Sequence, residues 1–269
     1  MTGDEDVLAE GGVTRVVRLG DTVRRPVRPF TATVHAFLRH LHESRVDFVP
    51  APLGYDDEGR EVLSFVPGDI PVEPLPAWAT REAVLVGLAR LIRRMHDAAE
   101  EWTAPPDAVW GRIPGAPVAN VVPLFETPEL VAHSDYCPGN VVFRDGVPAA
   151  FIDFDLARPT TRVADCVNAL YWWAPLLHPA DRAASLADAD VAQRVRVFAD
   201  AYGLDAAQRA LVVRTAVQRS RNSLLTMRAA ADADPLFERW WDEGVKDRLA
   251  RAERWLAAEA PHIDATLRC

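Results

Sequence analysis

Apolar positions along this chain fall first at strand-like spacing and then, beyond Pro76, mostly at helix-like spacing. The runs "TRVVRL" and "TVRRP" are β-branched and flank Gly20-Asp21, a hairpin signature. Just before them, "EGGVT" sets a glycine pair at the entry to a strand. After Pro29, "TATVHAFLRHLHE" places Val34, Phe37, Leu38 and Leu41 at helical spacing, with Thr31 or Thr33 as N-cap. "REVLSFVPGDIP" predicts one more strand, ending in Pro67-Gly68. A small antiparallel sheet with one helix is therefore expected over 1–68.

The remainder, 69–269, reads as a larger and mainly helical unit. "TREAVLVGLARLIRRMHDAAEEW" carries Val84, Leu88, Leu91, Ile92 and Met95 on one face. The proline-rich "TAPPDAVWGRIPGAPVANVVP" is a connector with no assignable element. "NVVFRDGVPAAFIDF" is strand-like around Asp145-Gly146, a second hairpin signal. From about Ala164 onward the chain predicts amphipathic helices rich in Ala, Leu and Arg, without internal repeats. The fold class is α+β.

Composition narrows the picture. With 269 residues, 49% of them hydrophobic, the chain can bury a substantial core as one large domain or two lobes. The N-terminal "MTGDEDVLAE" lacks a basic and apolar leader, and no run approaches membrane-spanning length, so a cytoplasmic protein is expected. Cys137, Cys166 and Cys269 are widely spaced and expected to be reduced. A net charge of -9 argues against nucleic acid or anionic lipid and favours a cationic or polar acceptor. Lys246 is the only lysine.

The chemistry concentrates in "HSDYCPGNVVF" (133–143) and the following "IDFDLA". The Asp145-Gly146 turn folds one strand back on the other, bringing Asn140 and Asp153 to the same end of the ribbon, with Asp135 in the loop that feeds it. Two carboxylates and an amide oxygen form a hard oxygen ligand set suited to Mg²⁺, which in turn suggests a phosphate-bearing substrate.

His133, Asp135 and Asn140 match the H-x-D-x-x-x-x-N loop of the aminoglycoside phosphotransferase and choline kinase family, and Asp153 in "IDFD" matches its metal-binding Asp. The chain resembles that family over most of its length. The resemblance implies a two-lobed protein-kinase-like fold, with a nucleotide-binding lobe over 1–68, a linker near 64–68 and a catalytic, acceptor-binding lobe over 69–269. It implies an ATP- and Mg²⁺-dependent O-phosphotransferase with Asp135 as catalytic base and Asn140 and Asp153 on the metal. The nucleotide would be held by Gly11, Gly12 and Thr14 of the glycine-rich strand pair and by Ser64, Phe65 and Val66 of the linker. The family's phosphate-gripping Lys is missing, so Arg24 or Arg25 must serve; alternation puts Arg25 on the face of Val23, toward the cleft. The first helix has no acid before Glu43 and offers His35 or His40 as partner for that cation. His133 is expected to brace the loop, Asp155 is either a second metal-proximal acid or a solvated one, and His96 is structural. The acceptor is expected to be a small-molecule hydroxyl, with an aminoglycoside or other cationic antibiotic first and a choline-like metabolite second. A non-catalytic nucleotide-binding pseudokinase is the alternative from another class.

Overall fold

Residues 6–9, 16–72 and 74–268 are described by the computed structural model. The first hairpin forms where the β-branched runs predict it, as β2 (Val16–Leu19) and β3 (Thr22–Arg25). With β1 (Asp6–Ala9), β4 (Pro52–Tyr55) and β5 (Glu61–Ser64) they build a five-stranded antiparallel sheet in the order β1-β2-β3-β5-β4. The short β4, "PLGY", has no strand periodicity of its own and is recruited by pairing with β5. Gly11, Gly12 and Thr14 lie outside the described residues.

Helix α1 (Thr31–Glu43) buries Val34, Phe37, Leu38 and Leu41, as its spacing predicts. Its cap differs from expectation. Phe30 occupies the N-cap without a side-chain bond, while Thr31 Oγ1 accepts from Arg28 N–H at 2.9 Å and Thr33 Oγ1 accepts from Val109 N–H at 2.9 Å. Thr33 thus satisfies a distant loop donor instead of its own helix end.

Beyond the linker, α2 (Glu82–Ala99) lays Val84, Leu85, Leu88, Ile92 and Met95 into the core, all fully buried, while Leu91 is only partly covered. Each such side chain contributes about 1.5–3 kcal/mol of hydrophobic burial. The connector forms no helix or strand between 101 and 129. Its Gly111 runs so close to the loop after Asp153 that a Cβ would sit 1.8 Å from Asp155 O, which only glycine permits. Strand β6 (Leu130–Ala132) enters the site. β7 (Val141–Arg144) and β8 (Val147–Phe151) form the second hairpin, and β9 (Arg158–Thr160) pairs with β6. At the hairpin tip Asp145 and Gly146 take φ of 52° and 70°, the left-handed pair of a tight two-residue turn.

Among the described residues, the α-helices that follow are α3 (Arg162–Trp173), α4 (Val191–Tyr202), α5 (Ala206–Ala233), α6 (Pro235–Trp240) and α7 (Lys246–Arg268). Among the described residues no helix is long and apolar enough to cross a membrane.

Candidate active site

The catalytic-loop residues are placed by a buried polar scaffold. Asp165, at the start of α3, is 1% exposed and accepts from Ser134 N–H at 2.9 Å, Tyr136 O–H at 2.5 Å and the His96 ring at 2.8 Å. His96 in turn meets Tyr202 Oη at 2.7 Å. Asn168, one turn along α3, clamps the loop twice, accepting from Tyr136 N–H at 3.1 Å and donating to Ser134 O at 2.8 Å. Trp173 Nε1 donates to Tyr136 O at 2.7 Å, so this buried tryptophan supports the loop from the core. A buried carboxylate with several donors cannot be removed without leaving them unsatisfied, which makes this scaffold rigid.

On that scaffold sits His133, fully buried, bonded through Nε2 to Ile152 O at 2.8 Å while Nδ1 accepts from Asp135 N–H at 3.2 Å. These bonds tie the loop to the strand that leads to Asp153. Ser134 and Asp153 both hold left-handed backbone, with φ of 63° and 62°, uncommon for residues other than glycine.

Asn140 and Asp135 meet directly. Asn140 Nδ2 donates to Asp135 Oδ2 at 3.0 Å and to Asp135 O at 3.1 Å. The hairpin closes alongside, with Val141 opposite Phe151 and Ile152 N–H bonded to Asn140 O at 3.0 Å. Burial raises the Asp135 pKa above the usual carboxylate range, assisted by the charge of Asp153 and opposed by His133 and Arg219. Asp153 is half exposed, with its carboxylate turned to the cleft between the lobes.

Across that cleft lies Arg25. It stands opposite Glu61 in the β3–β5 register and donates from Nε to Glu61 Oε1 at 2.6 Å. Its Nη1 reaches Asp153 Oδ1 at 3.2 Å, and its Nη2 lies 2.6 Å from Asp155 Oδ1, off the hydrogen-bonding angle. Burial works against the Arg25 charge but is outweighed by Asp155, Glu61 and Asp153, which hold its pKa above the ordinary value. Asp155 is pushed up to about 6 by burial, which outweighs the opposing charge of Arg25. The acid that anchors Arg25 therefore comes from a strand. Glu61, fully buried, accepts from His35 Nε2 of α1 at 3.0 Å, so the helix supplies a histidine behind the acid and not the acid itself. His40 bonds Ala98 O and plays no part here.

Arg24 points away. Its Nε lies 3.5 Å from Asp56 and its Nη1 bonds Thr22 Oγ1. At the end of β5 and just after it, Phe65 N–H bonds Asp21 O at 2.8 Å, Ser64 Oγ accepts from Ala51 N–H at 2.8 Å, and Val66 packs against the core. Arg18 stacks over the Phe65 ring at 3.8 Å. Gly68 allows Asp69 to pair with Phe143 of β7, because a Cβ there would meet Phe143 O at 2.4 Å.

Glu61 escapes sequence reasoning because its partnership depends on strand register. Asn168 is equally silent, although a polar residue on the inner face of α3 is a usable signal.

The donor set fits a hard cation. Asn140 spends its amide N–H₂ on Asp135, which leaves Oδ1 free to join Asp153. Mg²⁺ characteristically takes one or two carboxylates and completes its shell with phosphates and water. Two acids of the helical part are engaged locally: Asp181 is bonded by Arg251 and Asp190 caps α4.

Comparison with known proteins shows the family. Residues 106–202, which include Asp135, Asn140, Asp153 and Asp165, match the model of the phosphotransferase enzyme family. The trifolitoxin immunity protein of Rhizobium leguminosarum bv. trifolii is 30% identical over 98% of this chain and 99% of its own length. A choline/ethanolamine kinase family protein from Mesorhizobium loti superposes with a TM-score of 0.65 at 17% identity, covering 99% of this chain and 93% of the other. Amicoumacin kinase, solved in complex with AMP-PNP, Ca²⁺ and Ami, superposes with a TM-score of 0.63 at 15% identity over 97% and 88% of the two chains. An aminoglycoside phosphotransferase solved with streptomycin and ATP gives 0.56 at 12% identity over 94% and 93%. Full-length kinship with the immunity protein, the match over the catalytic segment and the protein-kinase-like fold together make this chain a member of the phosphotransferase enzyme family, a small-molecule kinase.

Proposed function

We propose that the protein transfers the γ-phosphoryl group of ATP to a hydroxyl of a small-molecule acceptor in the cytoplasm, and that it serves to inactivate an antibiotic. The observation that carries the chemistry is the contact of Asn140 with Asp135 beside Asp153, which gathers a base and a metal-binding pair at one end of a single hairpin. The antibiotic reading is supported by the name of the immunity protein, 30% identical over nearly the whole chain, and by the antibiotic-bound kinases among the fold relatives.

In this reading Asp135 orients the acceptor hydroxyl and accepts its proton at the carboxylate, whose raised pKa makes it a better proton acceptor. Asn140 keeps that carboxylate aimed, and His133 and Asp165 keep the loop rigid. Asn140 and Asp153 would hold Mg²⁺, which when bound neutralises charge on the phosphoryl oxygens. Arg25, anchored by Glu61, grips the nucleotide phosphates in place of a lysine. Ser64, Phe65 and Val66 line the nucleotide side of the linker. A choline-like metabolite kinase remains the second reading, supported by the choline/ethanolamine kinase fold relative.

The test is transfer of label from γ-labelled ATP to a panel of hydroxylated compounds and antibiotics, with Asp135→Asn as control. Label on an acceptor, dependent on Mg²⁺ and absent in the variant, is expected. ATP binding without transfer to any acceptor, identical in both proteins, would return the chain to the pseudokinase class.

A further inference from the structure

Each of the three nitrogens of the Arg25 guanidinium already faces a carboxylate. Nε donates to Glu61 Oε1 at 2.6 Å, Nη1 reaches Asp153 Oδ1 at 3.2 Å, and Nη2 lies 2.6 Å from Asp155 Oδ1. Arg25 is 7% exposed, so little of its fork is open to solvent. A cation that is to grip nucleotide phosphates must therefore give up part of this set, and the three acids hold it with unequal firmness.

Glu61 is fixed. It stands opposite Arg25 in the β3–β5 register, and its second oxygen accepts from His35 Nε2 at 3.0 Å, which makes the Nε bond a pivot. Asp153 is half exposed and is also the carboxylate that suits a metal. Asp155 is held differently. Its backbone is pinned by Gly111 of the connector, packed against the Asp155 carbonyl, and its N–H donates to Asp153 Oδ1 at 3.4 Å. Yet the Oδ1 atom that faces Arg25 is buried without a well-aligned hydrogen bond. Charge alone joins the pair, so a phosphate oxygen offering a directional, charge-assisted bond can displace it.

We propose that Asp155 makes nucleotide binding depend on the metal, by competing with the phosphates for Arg25. This rests on the kinase reading above. Without Mg²⁺, Glu61, Asp153 and Asp155 set three carboxylates around one guanidinium, and a nucleotide has both to break the contacts to Nη1 and Nη2 and to approach acids that nothing neutralises. With Asp153 engaged by Mg²⁺ the balance reverses, and Nη1 and Nη2 are released to phosphate oxygens while Nε stays on Glu61. Asp155 acts through Arg25 and touches no reacting atom. It is a positioning residue, neither a third metal ligand nor a merely solvated acid, because the oxygen it would offer a metal already faces a cation.

Calorimetric titration of AMP-PNP into the protein, once in EDTA and once in excess Mg²⁺, tests it. Asp155→Asn should tighten binding in EDTA about fivefold and change it by less than about twofold in Mg²⁺. In an Arg25→Gln background the same substitution should bring no gain in EDTA. Should Asp155→Asn fold poorly, Asp155→Ser carries the same titrations. An unchanged affinity in EDTA overturns the proposal, as does a gain that persists without Arg25, which would mean direct repulsion of the nucleotide. A loss of affinity confined to Mg²⁺ overturns it by making Asp155 a metal ligand, and failure of both variants to fold does so by making it a structural counter-ion. Failure of the wild type to bind AMP-PNP even in Mg²⁺ overturns the kinase reading instead.

Discussion

The catalytic loop and the cation site on β3 face each other across the same cleft, yet they were built under different constraints. In the loop, His133, Asp135, Asn140 and Asp153 stand at the spacing of the family motif, and the bonds that join His133 to Ile152 and Asp135 to His133 and Asn140 link residues within 20 positions of one another, while α3 braces the loop from farther along the chain. Across the cleft, the positive charge is an arginine, its acid lies on the neighbouring strand 36 residues away, and the helix contributes a histidine. Phosphoryl transfer requires a charge at a place, whereas the base and metal ligands require particular atoms in a particular geometry. One region is held to identity, the other to electrostatics.

Asp135→Asn should produce the largest effect. Turnover is expected to fall by about 10²–10⁴ with Mg·ATP binding retained, measured by steady-state kinetics and nucleotide titration. Wild-type turnover would break the loop side of the comparison.

Glu61→Gln comes next, since it keeps the shape but strips the charge behind Arg25. Stability should drop by about 1–3 kcal/mol and kcat/KM for ATP about tenfold, read by denaturant melts and kinetics. Adding His35→Glu to that variant, which moves the acid onto the helix, should recover part of the loss; no recovery would mean that the position of the acid matters and not only its charge.

A smaller change is expected for Arg25→Lys. An ammonium cannot span Glu61, Asp153 and Asp155 as the guanidinium fork does, so the Michaelis constant for ATP should rise severalfold, with little change in turnover. Arg24→Ala should do least, within about twofold on the same constant, because Arg24 pairs with Asp56 outside the cleft at a part-exposed position. Equal effects at the two arginines would show that the cation site is not the one the β3–β5 register selects.

Much of the fold was readable before any coordinates. The hairpins at Gly20-Asp21 and Asp145-Gly146, α1 and α2 announced themselves because turn chemistry and side-chain period are local properties. Thr31 and Thr33 were misjudged as caps for the converse reason: their oxygens found donors at Arg28 and, 76 residues away, at Val109. The connector could not be read, since what holds it is Gly111 against the Asp155 carbonyl and Asn222 bonding both backbone groups of Val122.

The sequence by itself determined that Asp135, Asn140 and Asp153 come together, because Asn140 and Asp153 flank one short hairpin and Asp135 lies in the loop that feeds it. Only the tertiary structure decided what surrounds them. Glu61 meets Arg25 through strand register, His35 reaches Glu61 through the packing of a helix on a sheet, and Asp165 and Asn168 of α3 brace Ser134 and Tyr136 from a different element. Electrostatic fields act through space and not along the chain, so which charges face one another cannot be read by counting residues.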